Sequence, residues 1–280
     1  MRIVSLLPST TEILFALGAG DDVVGVTFEC DTPAEARTRT VVSTSALPEG
    51  LTPAEIDAHV AAALASGADL YHLQADALRD LDPTHVVTQD LCAVCAVDVT
   101  TVDEALRHLG CRAEVVTVDP HTLEEVLDSV LLLGRVTGRS ETAAALVHDL
   151  RQRMAAVWRS TMGRGRPRVA VLEWTDPPYA PGHWIPEMVE LAGGENVLGT
   201  AGQKSTRILW DDLHAARPDV VVVAPCGYDE AGARAQAEAI ADRLPAGVRV
   251  LPVNADARWA RPGPRLVDGV EELAAFLRER

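Results

Sequence analysis

Short runs of β-branched and aliphatic residues alternate along the whole chain with segments of helical period, and this alternation most constrains the fold. RIVSLL, DVVGVT, THVVTQ and AEVVTV fall in the first part; RVAVLEW, DVVVVAP and VRVLPV fall in the last. Strands separated by helices build parallel βαβ units with helices on both sheet faces. No strand pattern occurs from Thr122 to about Met162. There Leu123, Val126, Leu127, Val130 and Leu131 recur at helical spacing, and Gly134 and Gly138 are read as breaks. Ser140 then opens a second helical run ending near Met162, about 22 residues and roughly 33 Å long at 1.5 Å per residue. The expected architecture is α/β, with two lobes of parallel sheet joined by a long rigid helix and a ligand cleft between them. Its parts are residues 1–121, linking helices 122–163, and residues 164–280, with the boundary of the last lobe placed at the basic Gly163–Arg168 segment.

The two lobes repeat each other. Glu12-Ile13-Leu14 leads to Leu17-Gly18 and then Asp22-Val23-Val24-Gly25, as Glu187-Met188-Val189 leads to Leu191 through Gly194 and then Asn196-Val197-Leu198-Gly199. Asp76 stands seven residues before Pro83 and its strand, and Asp211 stands seven before Pro218 and its strand. Ordered matches of this kind point to duplication.

Composition removes several classes of function. With 25 basic and 41 acidic residues the formal charge is −16, which repels a phosphate backbone and makes nucleic acid an unsuitable partner. No run approaches the roughly 20 apolar residues of a membrane-spanning helix, so membrane insertion is not expected. Pro8 through Glu12 interrupt the apolar N-terminus before a signal-peptide core can form, and five cysteines are an odd number in a chain too large to need disulfides. Both features are read as a cytoplasmic protein. Ser9 and Glu12 fit an S-x-x-E cap at the mouth of the first helix. The phosphate-binding, dinucleotide, serine-hydrolase and zinc-protease motifs do not occur.

RIVSLLPSTTEILFALGAGDDVVGVT, the L-x-P-T-H-V-V-T block ending at Thr88, MVELAGGENVLG and LWDDLHAARPDVVVV together resemble the metal-chelate class of periplasmic binding proteins, above all its cobalamin-binding branch. The resemblance covers essentially the whole length. It implies two lobes with the ligand between them at the carboxyl ends of the strands, which is also where open α/β sheets bind ligands. It implies a cobalamin or another metal chelate as ligand. It further implies an acidic residue on each lobe that meets arginines of an ABC permease; the matching positions are Asp76 and Asp211, where family members usually carry Glu.

Residues at strand ends are the candidates for the site. Glu29 and Cys30 follow one strand, Gln89, Cys92 and Cys95 another, and Cys226 a third, whereas Cys111 precedes its strand. Cys30, Cys92, Cys95 and Cys226 are candidate ligands for zinc or an iron–sulfur unit, although a C-x-x-C pair also serves as a dithiol or as pocket lining. Trp174, Tyr179, Trp184, Trp210 and Trp259 supply aromatic surface for a flat macrocycle, and His183 could ligate cobalt or zinc. Three functions remain open: a cytoplasmic binder of a corrinoid or similar chelate, an enzyme built on a cysteine-bound metal in the same cleft, and an exported receptor of an ABC importer.

Overall fold

The computed structural model describes residues 1–66, 68–89 and 112–279. In chain order the elements are β1 (Ile3–Ser5), α1 (Pro8–Ala16), β2 (Val23–Thr27), β3 (Thr40–Ser45), α2 (Pro53–Ser66), β4 (Tyr71–Leu73), α3 (Ala75–Leu81), β5 (His85–Thr88), β6 (Glu114–Thr117), α4 (Leu123–Val136) and α5 (Ser140–Thr161). They continue with β7 (Arg168–Leu172), β8 (Trp174–Thr175), β9 (Pro178–Ala180), α6 (Ile185–Leu191), β10 (Glu195–Asn196), β11 (Thr206–Arg207), α7 (Trp210–Ala216), β12 (Val220–Val223), α8 (Glu230–Ala239), β13 (Arg249–Pro252), α9 (Ala255–Arg258) and α10 (Leu266–Arg278).

The chain divides into two compact units, one of Met1–Pro120 with Leu127–Val147 and one of His121–Val126 with His148–Arg280. The segment 122–163 is therefore shared between the units and does not stand apart as the sequence suggested. α5 runs unbroken for 22 residues, as expected. α4, however, passes straight through Gly134. A Cβ there would lie 2.4 Å from that of Ala143, so this glycine lets the two helices approach rather than breaking one. Gly138, at φ +70, does end the helix.

The first unit holds a six-stranded sheet in the order β4-β3-β2-β1-β5-β6. Its pairs are parallel except β3 with β4. The second holds a parallel sheet, β10-β7-β12-β13, and a small antiparallel one, β11-β9-β8. The expectation of parallel sheets thus holds for the main sheets and misses the antiparallel edge and hairpin.

The duplication is legible in both units. β2-β1-β5-β6 corresponds to β10-β7-β12-β13 in order. α1 and α6 each begin with a proline in the first turn and are followed by a left-handed glycine, Gly18 (φ +74) and Gly193 (φ +89). α3 and α7 have seven residues each, end on left-handed Asp82 and Arg217, and lead through a proline into a four-residue strand. Because Pro8 itself starts α1 and Leu7 is its N-cap, Ser9 and Glu12 lie inside the helix and do not form the expected cap. The hydroxyls of Thr10 and Thr11 donate instead to the Leu7 carbonyl.

In the second unit, alternate residues of β7 and β12 feed two cores. Val169, Val171, Val220 and Val222 pack with α6 and α10. Ala170, Leu172, Val221 and Val223 pack with Leu213 of α7 and Ala237 of α8. All four valines of β12 are buried, which explains a strand with no polar alternation.

Candidate ligand-binding site

The carboxyl ends of β7 and β12 carry the strongest aromatic grouping. Beyond β7 the chain turns back as the β8–β9 hairpin, which sets Trp174 opposite Tyr179 and Tyr179 opposite Arg207 of β11. Residues directly opposite in antiparallel strands present their side chains on one face, so Trp174, Tyr179 and Arg207 form a ladder. Tyr228, in the turn after β12, sets its ring 5.8 Å from that of Trp174. The Trp174 indole N–H donates to the Asp176 carbonyl at 3.1 Å, fixing the ring. Burial pushes the Tyr228 phenol above its ordinary pKa.

Glu173, immediately before this ladder, accepts from the Ser205 hydroxyl and from the Gly182 amide at 3.4 Å. Burial pushes its carboxyl up to about 7 against these two donors. The loop that carries Ser205 is seated by close backbone contact: a Cβ on Gly182 would lie 2.3 Å from the Gln203 carbonyl, and one on Gly199 would lie 1.9 Å from that of Pro181. His183 follows in the left-handed region at φ +49, its N–H donating to Gln203 at 2.6 Å and its carbonyl accepting from Gly202 at 2.9 Å.

In the first unit, Phe28 follows β2 with 43% of its surface exposed, and its ring lies 6.3 Å from that of Tyr71. Glu29 beside it is half-buried, and Gln89 after β5 is buried. Sequence reasoning passed over Phe28, Tyr71, Tyr228, Arg207 and Glu173. Position just past a strand end was a usable signal for Phe28, Tyr228 and Glu173. For Tyr71 and Arg207 it was absent, since β4 and β11 had not been recognised as strands.

Several candidates require correction. Trp184 and Trp259 were expected to line the ligand surface, yet both are in the core of the second unit. The Trp184 indole donates to the Trp259 carbonyl at 2.8 Å, and Trp259 has no exposed surface. Glycine and proline beside Trp184 serve to fold its ring under α6. Trp210 packs partly into the second core with the Arg243 guanidinium 5.7 Å over its ring, so its face is covered. Cys30, read as a candidate metal ligand at a strand end, is buried, with Sγ 3.0 Å from the Thr11 hydroxyl. Cys226 is exposed in the turn after β12. Cys92, Cys95 and Cys111 lie outside the described residues. Among the described residues, no group of three or more His, Cys, Asp and Glu side chains is placed to hold a metal ion, and none of the helices is long and apolar enough to cross a membrane.

Asp76 and Asp211 occupy the same place in the repeat, the second residue of α3 and of α7. Both are exposed. Arg79 lies 3.0 Å from Asp76. In α7 the N-terminal amide of Leu209 is satisfied by Asp212 at 2.8 Å, so Asp211 is not the capping group.

A family model described as periplasmic binding protein matches residues 3–247. A vitamin B12-binding protein of Vibrio cholerae is 24% identical over 99% of this chain and 89% of its own length. An uncharacterized ABC transporter substrate-binding lipoprotein of Bacillus subtilis, YvrC, is 27% identical over 98% of this chain and 78% of its own. The crystal structure of the periplasmic heme-binding protein HutB of Vibrio cholerae superposes with a TM-score of 0.71 at 18% identity, covering 99% of each chain.

Proposed function

As the chain belongs to the periplasmic binding protein family, we propose that it is a non-catalytic receptor for a flat metal chelate, a corrinoid or a porphyrin. The observation that carries this reading is the wall of Trp174, Tyr179 and Tyr228 at the carboxyl end of the second unit's sheet. A macrocycle has a broad apolar face that stacks on such rings, and polar groups at its edge that Arg207 at the end of the ladder is chemically suited to meet. Phe28 and Tyr71 give the first unit an aromatic surface at the same end of its own sheet. Relatives named for vitamin B12 and for heme support this ligand class.

All five tryptophans belong to the second unit, so their quenching reports on its surface alone. Titration with cobalamins, hemin and ferric siderophores is expected to quench them at micromolar concentrations or below. Absence of binding by every member would overturn the reading.

A partner role for Asp76 and Asp211 is favoured by their equivalent, exposed positions and by the freedom of Asp211 from capping. Two such acids suit a permease that presents a basic residue to each. The cytoplasmic location read from the thiols is tested by fractionating the native host: an envelope pool overturns it and leaves the importer role in its place.

A further inference from the structure

His121 and His183 come from positions 62 residues apart in the sequence, yet the second unit sets their rings 5.9 Å apart at a tilt of 33°. The Nε2 of His183 is buried and has no hydrogen-bond partner among the described residues. An imidazole nitrogen in that position has no protein partner among those residues, an arrangement that costs stability unless something else meets it. Both residues are held by their backbones. His183 is fixed in its left-handed turn by Gly202 and Gln203, and the amides of His121 and Thr122 both donate to Glu125 at 2.5 and 3.2 Å.

We propose that His121 and His183 form a two-imidazole site for one borderline divalent cation of the zinc, cobalt or nickel class, with water completing its coordination. With nitrogen–metal bonds of about 2.0–2.1 Å, two imidazoles on one tetrahedral ion place their ring centres about 5.2 Å apart, a separation within about 1 Å of the one observed. Burial first, then His121 and Lys204, lower the pKa of His183, which keeps the ring in the neutral form that ligates metal. The carboxylates of Glu125 and Glu187 are engaged at the start of α4, where Glu187 accepts from the Leu123 amide at 2.7 Å, and the charge of Lys204 opposes a cation beside His183. Imidazole donors select this class over magnesium and calcium.

The test is titration of the metal-stripped full chain with Co2+ at pH 7.5 without oxygen, followed by visible absorption and calorimetry. The same titration on Cys92→Ser/Cys95→Ser separates imidazole from thiolate ligation. One equivalent is expected to bind in both proteins, without a thiolate charge-transfer band in the Ser variant. His121→Ala and His183→Ala are each expected to weaken binding at least tenfold, and Lys204→Met to tighten it. His121 is half-buried and its bond to Glu125 is made by the backbone, so His121→Ala reads the site even if His183→Ala folds poorly. Unchanged binding in the His121 variant, loss of all binding in the Ser variant, or no binding by the wild type would each overturn the proposal.

Discussion

Glu173→Gln isolates the cost of placing a carboxyl at the buried end of β7. The amide keeps the size of the side chain and removes the ionisation; its oxygen can still accept from the Gly182 amide, and its NH2 can donate to the Ser205 hydroxyl, which then serves as acceptor. The folded carboxyl titrates at about 7 against an ordinary 4.5, so the folded state holds this proton more tightly than the unfolded chain does. Its contribution is therefore fully present below pH 4.5 and is lost as the pH rises through 7. The gap, at about 1.4 kcal/mol per unit, amounts to about 3 kcal/mol. Wild type and Glu173→Gln should melt together at pH 4.5. At pH 8 the variant should be the more stable by that amount, a rise of about 6–12 °C in Tm for a unit of this size. Tryptophan fluorescence follows the second unit selectively, since all five tryptophans are there. A Tm difference that does not change between pH 4.5 and 8 would refute the reasoning, as would a variant less stable at both.

Other substitutions separate packing from binding. Trp184→Ala removes a buried ring and its hydrogen bond to Trp259, and thermal or denaturant unfolding should show a loss of about 3–5 kcal/mol. Trp174→Ala, in the half-buried ladder, should leave Tm within a few degrees and weaken chelate binding by about 30–100-fold in the quenching titration, the loss of one anchoring ring. Gly134→Val drives a branched side chain into Ala143 and should cost about 1–3 kcal/mol or more in denaturant unfolding. Asp76→Arg and Asp211→Arg should abolish permease-dependent uptake in a reconstituted transport assay while chelate affinity measured by fluorescence stays unchanged.

The strands with uninterrupted apolar character, β1, β5, β7, β12 and β13, were legible because buried parallel strands have a composition of their own. β3, β4 and the β8–β9–β11 hairpin were not. TVVSTS is diluted by hydroxyls, and strands of two or three residues carry no measurable period. Trp174 and Tyr179 were found because they follow a visible strand. Trp184 and Trp259 were misplaced for a physical reason: the same flanking glycine and proline occur whether a chain turns its ring outward to a ligand or inward beneath a helix. His183 was singled out, but its neighbour His121 was not, since only folding brings the segment before α4 to the loop after β9. The repeat of acid, proline and strand survived in both units because a left-handed helix end and a parallel strand each demand particular residues at fixed spacing.

The four identical residues of β12 have a consequence for how the second sheet finds its alignment. Sliding Val220–Val223 by one step past β7 replaces valine with valine, so the apolar interior alone discriminates poorly between neighbouring registers. Discrimination falls to Asp219 at the strand's amino end. Its carboxylate accepts from the Arg168 amide at 2.7 Å, its own amide donates to the Arg168 carbonyl at 2.8 Å, and its carbonyl accepts from the Arg249 amide at 3.1 Å. One polar residue thus indexes both neighbouring strands at once. The positional information of this sheet resides at its wet margin, while the buried centre supplies cohesion without address.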